Sequence, residues 1–262
     1  MGVLIAIAVL FVAVSASATE YVVDVRSPAA SDENPGAIER PFRTIQHAAD
    51  VARAGDTVKV VSGVYRESVI LEHSGETDRP ITFSAESGVV LTGADILTGW
   101  ERVPGDEPIY RAPWPHRFII NHTPDGDPIE HHPEDAPVWG RAEQVIASGS
   151  QLAPVASVDG LRAIWPALQG ARGRSAIPTW EAPATWAGAF TADTDSGQIY
   201  ALLANGADPN ADGSVMEASA RGLVFGTNPW MNREGVHDIH VQGFTFRYAA
   251  SFPQRGAVWL HK

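Results

Sequence analysis

The run Pro41-Phe42-Arg43-Thr44-Ile45-Gln46-His47-Ala48-Ala49 opens the stretch that decides this fold, and Val89-Val90-Leu91-Thr92-Gly93 closes it. Ile45, Ala48, Ala49 and Ala52 fall at i, i+3, i+4 and i+7, one apolar stripe on a helix of about three turns. Thr44 suits its N-cap, and Gly55 stands where a C-terminal glycine ends a helix. Brief β-branched strands are expected next, at 57–61, 68–71, 81–85 and 89–92, separated by Gly63, Gly75, Pro80 and Gly88.

A helix used once, then strands at short spacing, predicts a capped solenoid. Val58 and Ile81 are 23 residues apart, the length of one circuit of a three-sided coil. Apolar side chains at alternate positions would point inward and stack on those of the next circuit. The helix would cover the open end, where backbone and core are otherwise exposed. A solenoid has a long flank, and a long flank suits a polymeric ligand.

Working outward to the N-terminus, residues 3–14 form an unbroken apolar run, and Ala16-Ser17-Ala18 has the small residues of a cleavage site. Residues 1–18 read as a secretory signal peptide, although no Lys or Arg precedes the apolar run. A membrane anchor is the competing reading, but the run falls short of the roughly 20 residues a span needs. The mature chain then starts near Thr19 with about 244 residues left. It has no cysteine, so an exported chain of this kind is held by its own core. The net charge is −12, and Lys59 and Lys262 are the only lysines. That balance argues against nucleic acid or anionic membranes as partners. The expectation is an exported monomer, secreted, periplasmic or on the cell surface, with no membrane span once the signal is removed.

Residues 100–220 break the strand pattern. They are rich in Pro, Trp, Gly and Ala and read as a loop-rich insert with one β-hairpin, 188–192 with 198–203, around Asp193-Thr194-Asp195-Ser196-Gly197. Strands resume at 223–225, 239–241, 244–246 and 257–260, and Ile239 and Val258 are 19 residues apart, again about one circuit. The expected organisation is a signal peptide (1–18), a cap with the first circuits (19–99), the insert (100–220) and resumed circuits (221–262). A strand directly before His261-Lys262, with no cap, leads us to expect the N-terminal portion of a longer protein.

These residues carry a resemblance. Pro41 to Ala49, Ala54-Gly55-Asp56-Thr57-Val58, Ser62-Gly63-Val64-Tyr65-Arg66-Glu67, Arg79-Pro80-Ile81-Thr82-Phe83 and Val90-Leu91-Thr92-Gly93 resemble the N-terminal coils of the pectate-lyase-like superfamily. These are secreted right-handed parallel β-helix proteins. Gly243-Phe244-Thr245-Phe246-Arg247-Tyr248 with Gly256-Ala257-Val258 is similar to a later coil. Chondroitinase-B-like and alginate lyases open in this way, as do several β-helical glycoside hydrolases. The resemblance implies an all-β fold and polysaccharide as the partner. Leu97-Thr98-Gly99-Trp100, Ile109-Tyr110-Arg111-Ala112 and Arg141-Ala142-Glu143-Gln144-Val145 resemble the insert of the hydrolase-type members, which tilts the expected chemistry towards hydrolysis. The superfamily's catalytic residues usually lie on middle coils, which would fall after Lys262. The alternative is a non-catalytic, glycan-binding β-helix adhesin.

Glycosidic cleavage needs two carboxylates across the bond, or a basic residue with a charge-neutralising partner. Glu234, Asp238 and Arg255 are the catalytic candidates, set against solvated turns. Arg247, Tyr248, Gln254 and Trp230 are the substrate-binding candidates, since Arg can contact uronate carboxylates and aromatic rings stack on pyranoses. The same residues could equally be edge decoration, and the other tryptophans could form a small core in the insert. Asp193, Asp195 and Asp208 leave calcium possible, although the 193–197 turn lacks the downstream acidic ligand of a calcium loop. His116, His122, His131 and His132 read as surface histidines. His237 and His240 lie three apart on a strand, facing opposite sides, so no metal and no cofactor is identified.

Overall fold

Parallel pairing joins the two ends of the chain in this computed structural model, which describes residues 17–116, 142–171, 187–227, 235–251 and 256–260. Chain order begins with β1 (Glu20–Val23), α1 (Ile45–Val51), β2 (Thr57–Val60), β3 (Gly63–Tyr65), β4 (Val69–Ile70), β5 (Ile81–Ala85) and β6 (Val89–Thr92). It continues with β7 (Ala94–Leu97), β8 (Glu101–Arg102), β9 (Ile109–Pro113), β10 (Val145–Ala147), β11 (Ser150–Gln151), β12 (Ala153–Pro154) and α2 (Val158–Ala171). Then come β13 (Gly188–Asp193), β14 (Gln198–Leu203), β15 (Met216–Ser219), β16 (Phe225–Gly226), β17 (Ile239–Gln242), β18 (Thr245–Arg247) and β19 (Val258–Trp259). The chain is mostly β, as expected.

Three sheets are parallel throughout: β1-β2-β5-β17, β3-β6-β18 and β4-β16-β19. Successive strands visit the three sheets in turn, so β2-β3-β4, β5-β6-β16 and β17-β18-β19 are three circuits. Alternation sends one side chain in two inward. Val58, Phe83 and Val241 share one register, and Tyr65, Leu91 and Phe246 share another. These residues belong to one apolar core. Phe225 sits at its centre, edge-on to Phe83 at 5.4 Å and within 6.2 Å of Phe244 and 6.0 Å of Phe246.

The register corrects the expected spacing. Val58 pairs with Phe83 rather than Ile81. Ile239 and Val258 are not one circuit apart, because β17 and β19 belong to different sheets of the same circuit. Gly243 lies between β17 and β18 at φ +82°, and a Cβ there would run into the Ala85 carbonyl. Only glycine makes this corner.

Helix α1 covers the end of this core and is shorter than its apolar stripe suggests. Thr44 caps it, its hydroxyl accepting from His47 N at 3.2 Å. It ends at Val51 because Ala52 is already extended and the Asp56 carboxylate takes Arg53 N at 2.8 Å and Thr19 N at 2.8 Å. Gly55, at φ +93°, serves the following turn instead of ending the helix. Glu67 accepts from Ile45 N at 3.0 Å and Gln46 N at 2.9 Å, satisfying two first-turn donors.

The segment expected to be loop-rich, together with β7 just before it, holds two further sheets among the described residues. One is β11-β10-β15-β7, all antiparallel. The other is β12-β13-β14-β9-β8, antiparallel except for β12 with β13. Between them lies a core containing Trp100, Trp114, Phe190 and Met216. The hairpin forms where expected. Helix α2 was not expected. Val158, Leu161, Ile164, Trp165 and Leu168 do fall on one stripe, but Pro166 lies inside it. An internal proline removes a backbone donor and costs about 3 kcal/mol. Burial of Leu161 and Leu168 against Ala189 and Leu202 offsets that cost.

Two measurements test this core. Truncating Phe225→Ala empties the centre of the parallel core, and chemical denaturation should show a loss of about 3–5 kcal/mol. Burial is the main influence on the Glu67 carboxyl and raises its pKa despite the two N–H groups that lower it. A carboxyl raised on folding contributes stability fully below its unfolded value, and that contribution is lost as pH rises through the folded value. Wild type should therefore lose stability relative to Glu67→Gln as pH climbs above about 4.3. A pH-independent difference would show that burial does not govern this group.

Candidate functional site

The parallel and antiparallel parts meet at Gly93, between β6 and β7. Its N–H donates to Arg247 O at 2.9 Å, and its carbonyl accepts from Ala220 N at 2.7 Å and Arg221 N at 3.0 Å. Arg221 O in turn accepts from Ala250 N at 2.8 Å. A Cβ at Gly93 would lie 2.8 Å from Tyr248 O and 2.9 Å from Ala249 Cα. The chain thus leaves the second circuit and returns to it at one point, with the segment after β18 laid across both.

Charged side chains line this seam. Tyr65 points into the core, where its hydroxyl donates to Val61 O at 2.7 Å and burial holds its phenol well above the ordinary range. The next residue, Arg66, reaches the antiparallel sheet. Its guanidinium pairs with Glu217 at 2.7 Å and donates to Ala94 O at 2.8 Å. Arg221 pairs with Asp95 at 2.7 Å. Gln144 Nε2 donates to Ala249 O at 2.8 Å, and Gln144 N to Ser219 Oγ at 2.8 Å. Both ion pairs are partly buried, so they are screened less than surface pairs.

Arg247 lies beside this polar layer, in register with the buried Thr92. It is exposed and makes no ion pair with any described residue. Tyr248 follows, half-buried, with φ +54°. A bulky residue there is strained, and the neighbouring backbone contacts hold it. Of the residues expected to bind substrate, these two stand together at the seam.

Asp238 is elsewhere. It precedes β17, pairs with His237 at 2.7 Å and gives its carbonyl to Ile81 N at 3.0 Å. Strand β17 and the Gly243 corner separate it from Arg247. His240 is exposed on β17, in register with Thr82. Glu234, Arg255, Gln254 and Trp230 lie outside the described residues, as do His122, His131 and His132. His116 packs against Trp114 at 5.6 Å. Asp193 takes Asp195 N, Ser196 N and Ser196 Oγ on its carboxylate, a turn-forming arrangement. Among the described residues no three His, Asp or Glu side chains converge as metal ligands, and no helix is long and apolar enough to cross a membrane.

Sequence reasoning missed Arg66, Asp95, Gln144, Glu217 and Arg221 as a group. Alternation after Tyr65 would have turned Arg66 outward. Nothing local pairs Arg221 with Asp95, 126 positions away.

Comparison with known proteins finds two solved structures alike over most of this chain. One is XylC, solved in complex with xylose, with a TM-score of 0.64 and 28% identity over 91% of this chain and 38% of that one. A second, a glycoside hydrolase, gives a TM-score of 0.52 over 88% of this chain and 51% of that one; at 16% identity the likeness is one of fold alone. By sequence, an 80-residue stretch is 40% identical to the uncharacterized protein YwoF of Bacillus subtilis (strain 168), covering 30% of this chain and 17% of YwoF. No family model matches. The chain therefore spans about two fifths of XylC and a smaller share of YwoF.

The seam makes a direct prediction. Gly93→Ala inserts a methyl group among three backbone segments and should cost about 1–3 kcal/mol in urea unfolding. An unchanged midpoint would mean that the two parts are not clamped there.

Proposed function

We propose that this chain belongs to an exported carbohydrate-active enzyme that cleaves glycosidic bonds, by hydrolysis rather than elimination, on a right-handed parallel β-helix with an antiparallel insert. The observation that carries the reading is the likeness to XylC over 91% of this chain, a protein whose structure holds xylose. Three parallel sheets visited in rotation support the β-helix. The apolar run and small residues of 1–18 support export. The domain division is the one the sequence suggests, with circuits on either side of an insert.

The seam is the substrate-facing region in this reading. Arg247 offers an exposed guanidinium and Tyr248 a ring, and both can meet sugar hydroxyls and a pyranose face. Glu217 and Asp95 are each committed to an arginine at 2.7 Å. They position Arg66 and Arg221, and we do not assign them the paired acid and base roles of glycoside hydrolysis. Those carboxylates come from residues beyond the described ones, Glu234 among the candidates. The likeness to XylC makes pentose-containing polymers the first substrates to test.

Full-length protein, assayed on a polysaccharide panel including xylan, should release reducing sugar without unsaturated uronate. Arg247→Ala should lower kcat/KM about tenfold, equivalent to about 1.4 kcal/mol. Unsaturated uronate in the products would replace hydrolysis by elimination. Glycan binding with no turnover on any polymer would favour the adhesin.

A further inference from the structure

The insert carries a second recess, lined by none of the seam residues. It lies where the start of α2 faces the β13–β14 hairpin and has a volume of about 510 Å³. Small-molecule sites typically measure about 300–1,000 Å³. Thr191 is its most telling residue. It is only 6% exposed and lines the recess. Its hydroxyl makes no hydrogen bond among the described residues. The hydroxyl is not sealed in the interior but opens onto the recess, where it is available to an oxygen or hydroxyl supplied from outside.

The surrounding groups narrow the ligand. Asp159 and Asp195 offer carboxylate oxygens, and Arg162 offers a guanidinium that pairs with Asp159 at 2.7 Å. Asp193 is already committed to its own turn. The excess of carboxylates disfavours an anion such as a uronate or phosphate. A divalent cation would want several free carboxylate oxygens together, and Asp193 does not supply them. Carboxylates and a guanidinium side by side do suit vicinal diols, which donate to the first and accept from the second.

We infer that this recess is a second, non-catalytic carbohydrate site that takes a neutral sugar through Thr191, Asp159, Asp195 and Arg162. The inference rests on the carbohydrate-active reading and adds a subsite to it. Amide hydrogen exchange on the full chain, with xylotriose, trigalacturonate or calcium chloride as the probe, tests it. Xylotriose should slow exchange in segments 155–162 and 190–200. Thr191→Val should weaken its apparent affinity about tenfold. Asp195→Ala, on an exposed turn, replaces that variant if Thr191→Val does not fold. No protection there with xylotriose, wild-type affinity in the variants, or protection by trigalacturonate or calcium alone would overturn the site. Protection at 245–250 that Arg247→Ala abolishes would leave the carbohydrate reading standing even then. A protected recess without glycoside turnover would instead sink the enzyme and keep the site.

Discussion

Parallel pairing is the constraint on which the rest of this structure depends. Two parallel neighbours cannot be joined by a tight turn, because the chain must travel back to the starting end before pairing again. Here that return is made through two other parallel sheets, so each circuit builds one strand of each. The inward side chains then stack in register, Val58 on Phe83 on Val241, and the core grows along the axis. Outward positions are left free for polar residues such as Thr82, Ser84 and His240. An excursion between strands can also be lengthened without breaking the pairing, and the insert exploits this between β6 and β16.

Local chemistry was legible in the sequence, and long-range geometry was not. Thr44 and the alanine stripe announced α1, and the β-branched runs announced β2, β5 and β6, because each signal is confined to a few neighbours. The hairpin at β13 and β14 was equally plain. Helix α2 stayed hidden because Pro166 interrupts a stripe that burial then sustains. The spacing of circuits was off by two residues because a repeat without a fixed motif can only be aligned by its pairing partner. At the site, Arg247 and Tyr248 stood out as a polar pair at a strand end. Arg66, Glu217, Asp95 and Arg221 did not, since their meaning comes only from the fold that brings them together.

The seam is where two architectures with different hydrogen-bonding habits must be reconciled. Gly93 manages it by offering its backbone to three segments and presenting no side chain. The Arg66–Glu217 pair then fixes the antiparallel sheet against the parallel part, and the Arg221–Asp95 pair ties the segment after β15 to β7. Among the described residues, Arg247 beside this joint is exposed and makes no ion pair. A rigid scaffold of paired charges with an exposed guanidinium beside it is a suitable support for recognising an oxygen-rich ligand.

The placement of the insert also shapes how the chain reaches its fold. Ser68 donates to Leu223 O across 155 positions, and a loop of that size is slow to close by diffusion of its ends alone. The insert's first and last strands, β7 and β15, are direct neighbours. When the insert folds, it brings Gly93 and Arg221 within hydrogen-bonding reach and shortens the effective loop to a few residues. An insert that closes on itself before the core would therefore act as an internal splint, placing Phe225 close to the strands it packs against.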